Sequence, residues 1–386
     1  MIEKGYKYRL YPNKEQREMF ENHFGTSRWV YNNGLNKKIE TYQKDKKTIS
    51  CFELIKDLVN LKKQDETKWL SDINAQSLQM SLRGLDNAFT RFFREKKGFP
   101  NYKSKKDKQS FSIPQGNRVD FKNNKVSFIK IGKIKARIDR EFDGRIIKAT
   151  VSRNSINQYF VSYVVATNSE LVKTKKIKEK TTIGIDLGIK DFAVLSNGLK
   201  IENPKTLKKS EARLKVLSRR LSKKKKGSNN RIKAKYKLAK LHNKVKNQRE
   251  YFLHNLTHQI THDNQVDTIA IEDLNVKGMI KNHCLAKSIG DASWSEFRRQ
   301  LNYKSKWYGK NLLVIGRFEP SSKMCSCGEI NQGLALKDRE WTCKKCGLTH
   351  DRDILASQNI KRFALQKQNL INTSLLKRGE PVELSQ

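Results

Sequence analysis

The chain has 386 residues and carries 81 lysines and arginines against 39 aspartates and glutamates, which gives a formal net charge of +42. An ordinary metabolic enzyme gains nothing from such self-repulsion, and a field of this sign favours nucleic acid as the partner. Hydrophobic residues make up 36% of the chain and occur in periodic runs, so the composition excludes a simply disordered protein. The length indicates two or three domains.

The sequence shows no sign of a membrane segment or of a secretory signal. No apolar run approaches the ~18 residues that a membrane span requires, and the first residues, MIEKGYKYRLYPNKEQ, lack the apolar core of a signal peptide. We therefore expect an intracellular chain without a membrane partner. In that setting four cysteines crowded into 22 residues, Cys325 to Cys346, favour a metal over disulfides.

The first half of the chain predicts a helical module inserted into a β-domain. Residues 1–12 predict a first strand, because the run GYKYRLY ends at a proline. Residues 13–105 predict helices, of which the third, from about Asn74 to Arg94, carries leucines and phenylalanines along one side. Residues 106–178 return to β-rich segments such as KVSFIKI and QYFVSYVVA. We expect these strands and the first one to form a small barrel.

The second half predicts an α/β domain over residues 179–320. The runs TTIGIDLG, VDTIAIEDL and LLVIGRF predict buried strands, and residues 204–262 predict a long helical hairpin. Residues 321–349 contain the cysteine cluster, and residues 350–366 predict the last helical segment of the domain. Residues 367–386 show no strong pattern and predict a flexible tail.

Three acids occupy comparable places in this half: Asp186 and Glu272 follow apolar strands, and Asp353 precedes a helix. Strand ends of an α/β sheet meet at one edge, where such proteins place their sites. Three converging carboxylates require a cation, and their hard oxygen ligands suit Mg²⁺ or Mn²⁺. Two such ions can drive phosphodiester hydrolysis.

The alternative is that each acid is structural, since aspartate is common at strand ends and helix N-caps. Three other acids lie close by in sequence. Strand alternation should turn Asp273 to the opposite face from Glu272. Asp191 is a second nearby acid outside the predicted site. Asp351 is either a third such acid or an outer metal ligand.

Four cysteines, Cys325, Cys327, Cys343 and Cys346, predict a structural zinc ribbon, because four thiolates suit tetrahedral Zn²⁺ and leave no open position. The first pair is spaced C-x-C, one residue shorter than the usual knuckle. A degenerate ribbon held by packing is therefore the alternative. His350 is either a substitute ligand or an ordinary residue at the exit of the hairpin.

The order of these motifs resembles the TnpB family of RNA-guided nucleases, which insertion sequences encode and which are related to the compact type V CRISPR effectors. The resemblance covers nearly the whole chain. It rests on G-I-D-L-G, I-E-D-L-N, S-S-K-x-C-x-C-G, R-x-W-x-C-x-x-C-G, H-D-R-D and A-x-x-N-I, together with Y-R-L-Y-P, R-W-V-Y-N and G-F-P-N-Y-K in the first half. One departure is Ile354-Leu355-Ala356, where the family often has x-Asn-Ala.

The resemblance implies a wedge-type β-barrel with an inserted helical recognition module, followed by a RuvC-like RNase H domain that carries the zinc ribbon. It implies that Asp186, Glu272 and Asp353 are the metal-binding acids of RuvC motifs I, II and III. It also implies a guide RNA from the same element and a target double-stranded DNA beside a short target-adjacent motif. The protein would act as a monomer in its RNA complex, in the prokaryotic cytoplasm near the nucleoid.

Two surfaces are candidates for nucleic-acid contacts. Residues 205–249 contain 19 lysines and arginines against one acid, Glu211, which favours phosphate binding over a merely solvated face. The candidates at its centre are Arg219, Arg220, Lys223, Lys224, Lys225 and Lys226. Gln76 and Gln79 lie one turn apart on the third helix and can pair with adenine in the major groove, although a polar helix face is the plainer interpretation.

Three functions are therefore compared. The first is a metal-dependent, RNA-guided DNA endonuclease. The second is an RNA-guided DNA-binding repressor that does not cleave. The third is a transposase that uses the same acids for strand transfer.

Overall fold

A computed structural model describes the backbone of residues 2–335 and 338–377, and side chains as far as residue 368. The chain divides into two compact units between Glu170 and Leu171, whereas the sequence placed the corresponding boundary after residue 178. Residues 171–178 belong to the second unit because Lys175 pairs with Asp267 (3.0 Å) and accepts a hydrogen bond from Asn311 through its carbonyl oxygen.

The first unit consists of a strand, three helices and six further strands. In chain order these are β1 (Ile2–Tyr11), α1 (Lys14–Asp45), α2 (Cys51–Leu61), α3 (Ala75–Glu95), β2 (Gln109–Ile113), β3 (Arg118–Asp120), β4 (Lys125–Phe128), β5 (Gly132–Arg137), β6 (Arg145–Arg153) and β7 (Tyr159–Thr167). The helices therefore lie between the first strand and the other six, as the sequence predicted.

The strands form one antiparallel sheet in the order β2-β6-β7-β1-β5-β4-β3. Within the described residues β2 and β3 are its two edges, so the sheet is a half-barrel, where the sequence predicted a small barrel. Since β3 and β4 have only three and four residues, they offer little backbone for a closing strand pair. The inner face is filled by aromatic and branched side chains, and Phe20 and Phe24 of α1 pack on it.

The second unit is a mixed sheet with helices on both faces. Its elements are β8 (Thr182–Leu187), β9 (Asp191–Leu195), β10 (Lys200–Glu202), α4 (Thr206–Ser222), α5 (Asn229–His262), β11 (Thr268–Glu272), α6 (Val276–Met279), α7 (Ala286–Ala292), α8 (Trp294–Trp307), β12 (Asn311–Ile315), β13 (Glu340–Thr342), β14 (Thr349–Asp351) and α9 (Arg352–Lys377). The main sheet has the order β10-β9-β8-β11-β12, in which β8, β11 and β12 are parallel.

Alternation along β11 assigns the two faces of this sheet. Ile269 and Ile271 belong to the core that α5 and α8 cover, whereas Ala270 belongs to the core on the other face, with Ile360 and Ala364 of α9. Successive side chains of a strand point to opposite faces, so the apolar run of β11 serves both layers. The strand is consequently buried from both sides.

The close approach of α9 to β8 depends on Gly184. A Cβ atom at this position would lie 2.0 Å from the carbonyl oxygen of Ser357 and 2.8 Å from the backbone nitrogen of Lys361. Both atoms belong to the backbone of α9, so the helix would have to shift to admit any side chain. Gly184 pairs in register with Ala270 on β11, and the two small residues together form the floor on which α9 lies.

Helix α9 continues to Lys377, whereas the sequence placed the start of a flexible tail at residue 367. The stretch QKQNLINTSLLK contains neither glycine nor proline and consists largely of residues compatible with a helix, so nothing local ends it. The rest of the predicted tail, residues 378–386, lies outside the described residues. In the described part of the chain no helix is both long enough and apolar enough to cross a membrane.

The substitution Gly184→Ala should lower the free energy of unfolding by about 1–3 kcal/mol, the usual cost of overpacking, because the new methyl group would meet the backbone of α9. Urea unfolding followed by tryptophan fluorescence measures this loss. The control is Gly84→Ala on α3, where no atom beyond the adjoining backbone of its own helix lies within 4 Å of the new Cβ; it should be neutral or stabilise by up to ~1 kcal/mol. Equal stability of Gly184→Ala and the wild type would contradict the packing argument.

Candidate active site and cysteine cluster

Asp186 and Glu272 lie at the same edge of the mixed sheet. Strands β8 and β11 run parallel with Ile185 opposite Ile271, so the next residue of each strand is an acid at the same level. The carboxyl ends of parallel strands are where α/β folds assemble their sites. The sequence prediction that these strand ends meet agrees with this register.

Asp353 reaches the site from the first turn of α9. The helix begins at Arg352, and the carboxylate of Asp351 accepts hydrogen bonds from the backbone nitrogens of Asp353 and Ile354, both at 3.0 Å. Asp351 therefore caps the helix, and its second oxygen accepts a hydrogen bond from Lys200 at 2.6 Å. Of the two interpretations of Asp351, the structural one matches these contacts.

The three acids share one cleft of about 1030 Å³. Basic side chains line the same cleft, so a group of negative charges is set within a positive wall. These basic residues are Lys190, Lys205, Lys208, Lys287, Arg339 and Arg352. Such a wall attracts phosphate, while the acids provide oxygen ligands for a hard cation.

Burial and mutual repulsion alter the protonation of the acids. Burial, followed by the negative charges of Glu272 and Asp353, raises the pKa of Asp186 to about 7. Burial also raises the pKa of Glu272, against a hydrogen bond from Ser321 that favours its charged form. A carboxylate cluster of this kind is stable in its charged state only beside a cation. The donor set therefore fits Mg²⁺ or Mn²⁺.

Two side chains that sequence reasoning missed contact the acids directly. The hydroxyl of Ser321 donates a hydrogen bond to Glu272, and Arg339 donates to both oxygens of Asp353 at 3.3 and 3.2 Å. Both belong to motifs that the sequence analysis singled out, S-S-K and R-x-W, without a role for these two positions. The two residues could be read in the sequence motifs, but only the fold shows that they contact the acids.

The neighbouring acids differ in their surroundings. Asp273 accepts hydrogen bonds from Arg298 and Arg317, which hold its pKa below the ordinary value. These partners agree with the expectation that strand alternation turns it away from Glu272. Asp191 also lines the cleft, at the start of β9.

The four predicted cysteines come together, with all four sulfur atoms within 4.8 Å of one another. Cys325 Sγ lies 3.5 Å from Cys346 Sγ, and Cys327 Sγ lies 3.7 Å from Cys343 Sγ. The spacing is that of a cluster able to hold one tetrahedral ion such as Zn²⁺. The strands β13 and β14 form the hairpin beside it.

The shortened C-x-C half closes in the same way as the C-x-x-C half. In each, the glycine after the second cysteine has a positive φ, +89° at Gly328 and +73° at Gly347, and its N–H donates to the carbonyl of the first cysteine. The backbone N–H of that first cysteine in turn donates a hydrogen bond to the carbonyl oxygen of the residue after the glycine. The missing residue therefore does not prevent a knuckle.

His350 lies against the cluster as well. Its Nε2 atom is 3.0 Å from Cys325 Sγ, and its ring packs on Trp341 at 5.1 Å. The ring of His350 is therefore in direct contact with one of the four cysteine sulfur atoms.

The basic hairpin predicted from the sequence is formed by α4 and α5. Its six predicted contact residues all lie exposed at the end of α4 and in the turn that follows: Arg219, Arg220, Lys223, Lys224, Lys225 and Lys226. Elsewhere the hairpin is tied to the unit by ion pairs, of Arg249 with Asp291 (2.9 Å) and of Lys287 with Glu211 (2.6 Å). The tip is fully accessible.

Gln76 and Gln79 lie half-buried in the first turns of α3. The amide nitrogen of Gln76 donates to Gln115 Oε1 at 2.9 Å, and its own oxygen is buried without a partner among the described residues. Gln115 follows β2, so the half-barrel and the helical module of the first unit each contribute one amide to this pair. The sequence pattern gave no sign of Gln115.

Family models match three parts of the chain. A model described as "Probable transposase" matches residues 161–283, "Cas12f1-like, TNB domain" matches residues 294–360, and "Helix-turn-helix domain" matches residues 1–47. Over the last range the structure has β1 and the single unbroken helix α1, rather than two helices.

Two relatives align over almost the entire chain. A Streptomyces pristinaespiralis protein named "Putative RNA-guided DNA endonuclease" is 37% identical over 363 residues, which cover 93% of this chain and 89% of that protein. "Putative RNA-guided DNA endonuclease InsQ" of Escherichia coli (strain K12) is 31% identical over 370 residues, which cover 92% and 90%.

The fold also matches a solved structure, "Cryo-EM structure of the Cas12f1-sgRNA-target DNA complex", with a TM-score of 0.60. The match covers 93% of this chain and 98% of that one at 15% identity. At this identity the likeness concerns the fold alone.

The substitution Asp186→Asn should stabilise the metal-free protein at pH 8, on the order of 2 kcal/mol, and change little at pH 4. The pKa of this carboxyl in the folded protein lies above that of the unfolded chain, ~3.9, so its contribution to stability is greatest below pH 4 and is lost as the pH rises towards 7. Urea unfolding at both pH values, with and without Mg²⁺, measures the difference. Mg²⁺ should stabilise the wild type and not the variant.

The control for this experiment is Asp273→Asn. Because its arginine partners lower the pKa of Asp273, this variant should lose stability at pH 8. A wild type whose metal-free stability rises between pH 4 and pH 8 relative to Asp186→Asn would contradict the assigned cluster.

Proposed function

Because the chain belongs to the TnpB family of proteins encoded by insertion sequences, we propose that it is an RNA-guided DNA endonuclease that cuts target DNA next to a short target-adjacent motif. The observation that carries the proposal is the meeting of Asp186, Glu272 and Asp353 in one cleft with a basic wall. The relatives' names and the shared fold support the same function.

The three acids would hold Mg²⁺ or Mn²⁺, which when bound supplies activation of water and stabilisation of the leaving oxygen in phosphodiester hydrolysis. The chain's own contribution is to fix the ligands. Strands β8 and β11 hold two of the carboxylates at one level, and the capped first turn of α9 supplies the third. Arg339 lies beside Asp353 and limits the repulsion among the acids.

We propose that the second unit is a RuvC-like RNase H domain carrying a zinc ribbon, and that the first unit is a wedge domain with a helical recognition insert. The mixed sheet between helices, with its acids on three separated segments, supports the nuclease assignment. The half-barrel interrupted by α1 to α3 supports the wedge assignment. The cysteine cluster would hold one structural Zn²⁺.

The nucleic-acid partners would be a guide RNA from the same element and a target DNA duplex, with base pairing reading the sequence. The tip of the α4–α5 hairpin would bind phosphates, and binding should weaken steeply with salt. Gln76 and Gln79, together with the Gln115 amide that Gln76 contacts, would read adenine edges of the target-adjacent motif. We expect a monomer in the RNA complex, acting in the cytoplasm near the nucleoid.

Cleavage of a matched plasmid by the RNA-bound protein in Mg²⁺ tests the function. The plasmid should be cut only when it carries both the guide-matched sequence and the adjacent motif, and Asp186→Ala should reduce the rate by at least ~10³-fold through loss of a metal ligand. Asp273→Asn, which removes the neighbouring acid, should keep most of the activity. Undiminished cleavage by Asp186→Ala would refute the site.

Two other outcomes would favour the competing functions. Tight, guide-dependent DNA binding without cleavage in Mg²⁺ or Mn²⁺ would favour the repressor. Strand joining that does not need the RNA would favour a transposase. Sequencing of RNA that copurifies with the protein separates these cases further, because an RNA that overlaps the 3′ end of the gene supports a guide.

Zinc analysis of the purified protein should give one ion per chain. Cys343→Ser removes one of the four thiolates, a buried one, and should lower the zinc content. His350→Ala should retain the zinc if the four thiolates form the complete set. Loss of zinc in His350→Ala would instead make the histidine a ligand, and a zinc-free wild type would mean that packing alone holds the ribbon.

A further inference from the structure

The segment between β12 and the cysteine cluster lies directly on the acid site. Ser321 is 8% exposed, and its hydroxyl donates a hydrogen bond to Oε1 of Glu272. Among the residues that the structure describes, it is the only side chain that donates a hydrogen bond to this carboxylate. Without Ser321 the carboxylate would therefore be held only by its own strand.

A residue of α9 holds this segment in place. Asn359 is 2% exposed, and its amide nitrogen donates to the carbonyl oxygens of Ser321 (2.7 Å) and Met324 (2.6 Å). A buried amide with both donor bonds made to backbone carbonyls fixes its partners in position, because losing either bond leaves buried polar groups unsatisfied. This asparagine is the one in the A-x-x-N motif.

The contacts form a continuous path from the cysteine cluster to the acids. Met324 immediately precedes Cys325, whose backbone is closed within the first knuckle. Asn359 joins Met324 to Ser321, and Ser321 joins the path to Glu272. Each link is a backbone bond or a hydrogen bond of a buried residue, so the ribbon and the acid site share one rigid segment.

We propose that Ser321 and Asn359 are positioning residues for the metal ligand Glu272, and that through them the cysteine ribbon sets the geometry of the acid site. The inference rests on the proposed function. By occupying Oε1, the hydroxyl fixes the plane of the carboxylate and leaves its second oxygen for a metal ion. Outer residues that orient a ligand are commonly worth 10- to 100-fold in metal affinity.

The chain offers a matched control for Ser321. Ser322 is the next residue and lines the same cleft, but no hydrogen bond from its hydroxyl to Glu272 is present. Ser321→Ala and Ser322→Ala therefore remove the same atom from adjacent positions. Ser321→Thr keeps the hydroxyl and serves as the conservative variant.

Two readouts are measured for each variant. The first is the Mg²⁺ concentration for half-maximal plasmid cleavage by the RNA complex, together with the rate at saturating Mg²⁺. The second is Mn²⁺ binding to the full RNA-free chain by electron paramagnetic resonance, with Asp186→Ala as the blank. We expect Ser321→Ala to raise the half-maximal Mg²⁺ concentration and the Mn²⁺ dissociation constant by ~10-fold or more. The rate at saturating Mg²⁺ should fall by less.

Ser321→Thr and Ser322→Ala should stay within about 2-fold of the wild type. Asn359→Ala should weaken metal binding, as Ser321→Ala does, and should still retain one zinc ion. Retained zinc shows that the effect comes from displacement of the segment around Ser321 and not from loss of the ribbon. Equal metal constants for Ser321→Ala and Ser322→Ala would overturn the inference, as would a wild type without Asp186-dependent Mn²⁺ binding. Normal Mn²⁺ binding without cleavage would instead refute the proposed function and leave the positioning role standing.

Discussion

The packing of α9 against β8 is the constraint on which the rest of the second unit depends. This one helix supplies Asp353 to the acid site and Asn359 to the start of the cysteine ribbon. Its distance from the sheet therefore sets the positions of both side chains. That distance is possible only because Gly184 and Ala270 lie side by side beneath it, with the backbone of α9 where a side chain would otherwise stand. The glycine of the I-G-I-D motif is thus a packing residue, two positions from the acid that it serves.

Much of this arrangement could be predicted from the sequence because the relevant signals are local. Apolar runs ending in Asp186 and Glu272 identify buried strands, and the pair Cys343 and Cys346 followed by glycine identifies a knuckle. Those signals depend on alternation and spacing within a few residues, which hold whatever the rest of the chain does. The insertion of helices between the first strand and the others could be inferred for the same reason.

The features that escaped prediction depend on contacts between distant segments. Whether the first sheet closes depends on the reach of β3 and β4, which no periodicity encodes. The assignment of residues 171–178 to the second unit follows from the partners of Lys175, and the role of Ser321 follows from the position of a strand end 49 residues earlier. In each case the residue type was visible in the sequence, but its partner was not.

The acid site and the overall charge of +42 appear opposed, yet they fit one mechanism. The basic side chains that line the cleft disfavour a divalent cation, and burial favours the protonated form of Asp186. A phosphate backbone entering the cleft would neutralise those side chains and would add oxygen ligands of its own, which Mg²⁺ sites on proteins commonly use. Metal and nucleic acid should therefore bind cooperatively, each lowering the electrostatic cost of the other, so that the affinity of the RNA-free chain for Mg²⁺ or Mn²⁺ rises when a phosphodiester enters the cleft.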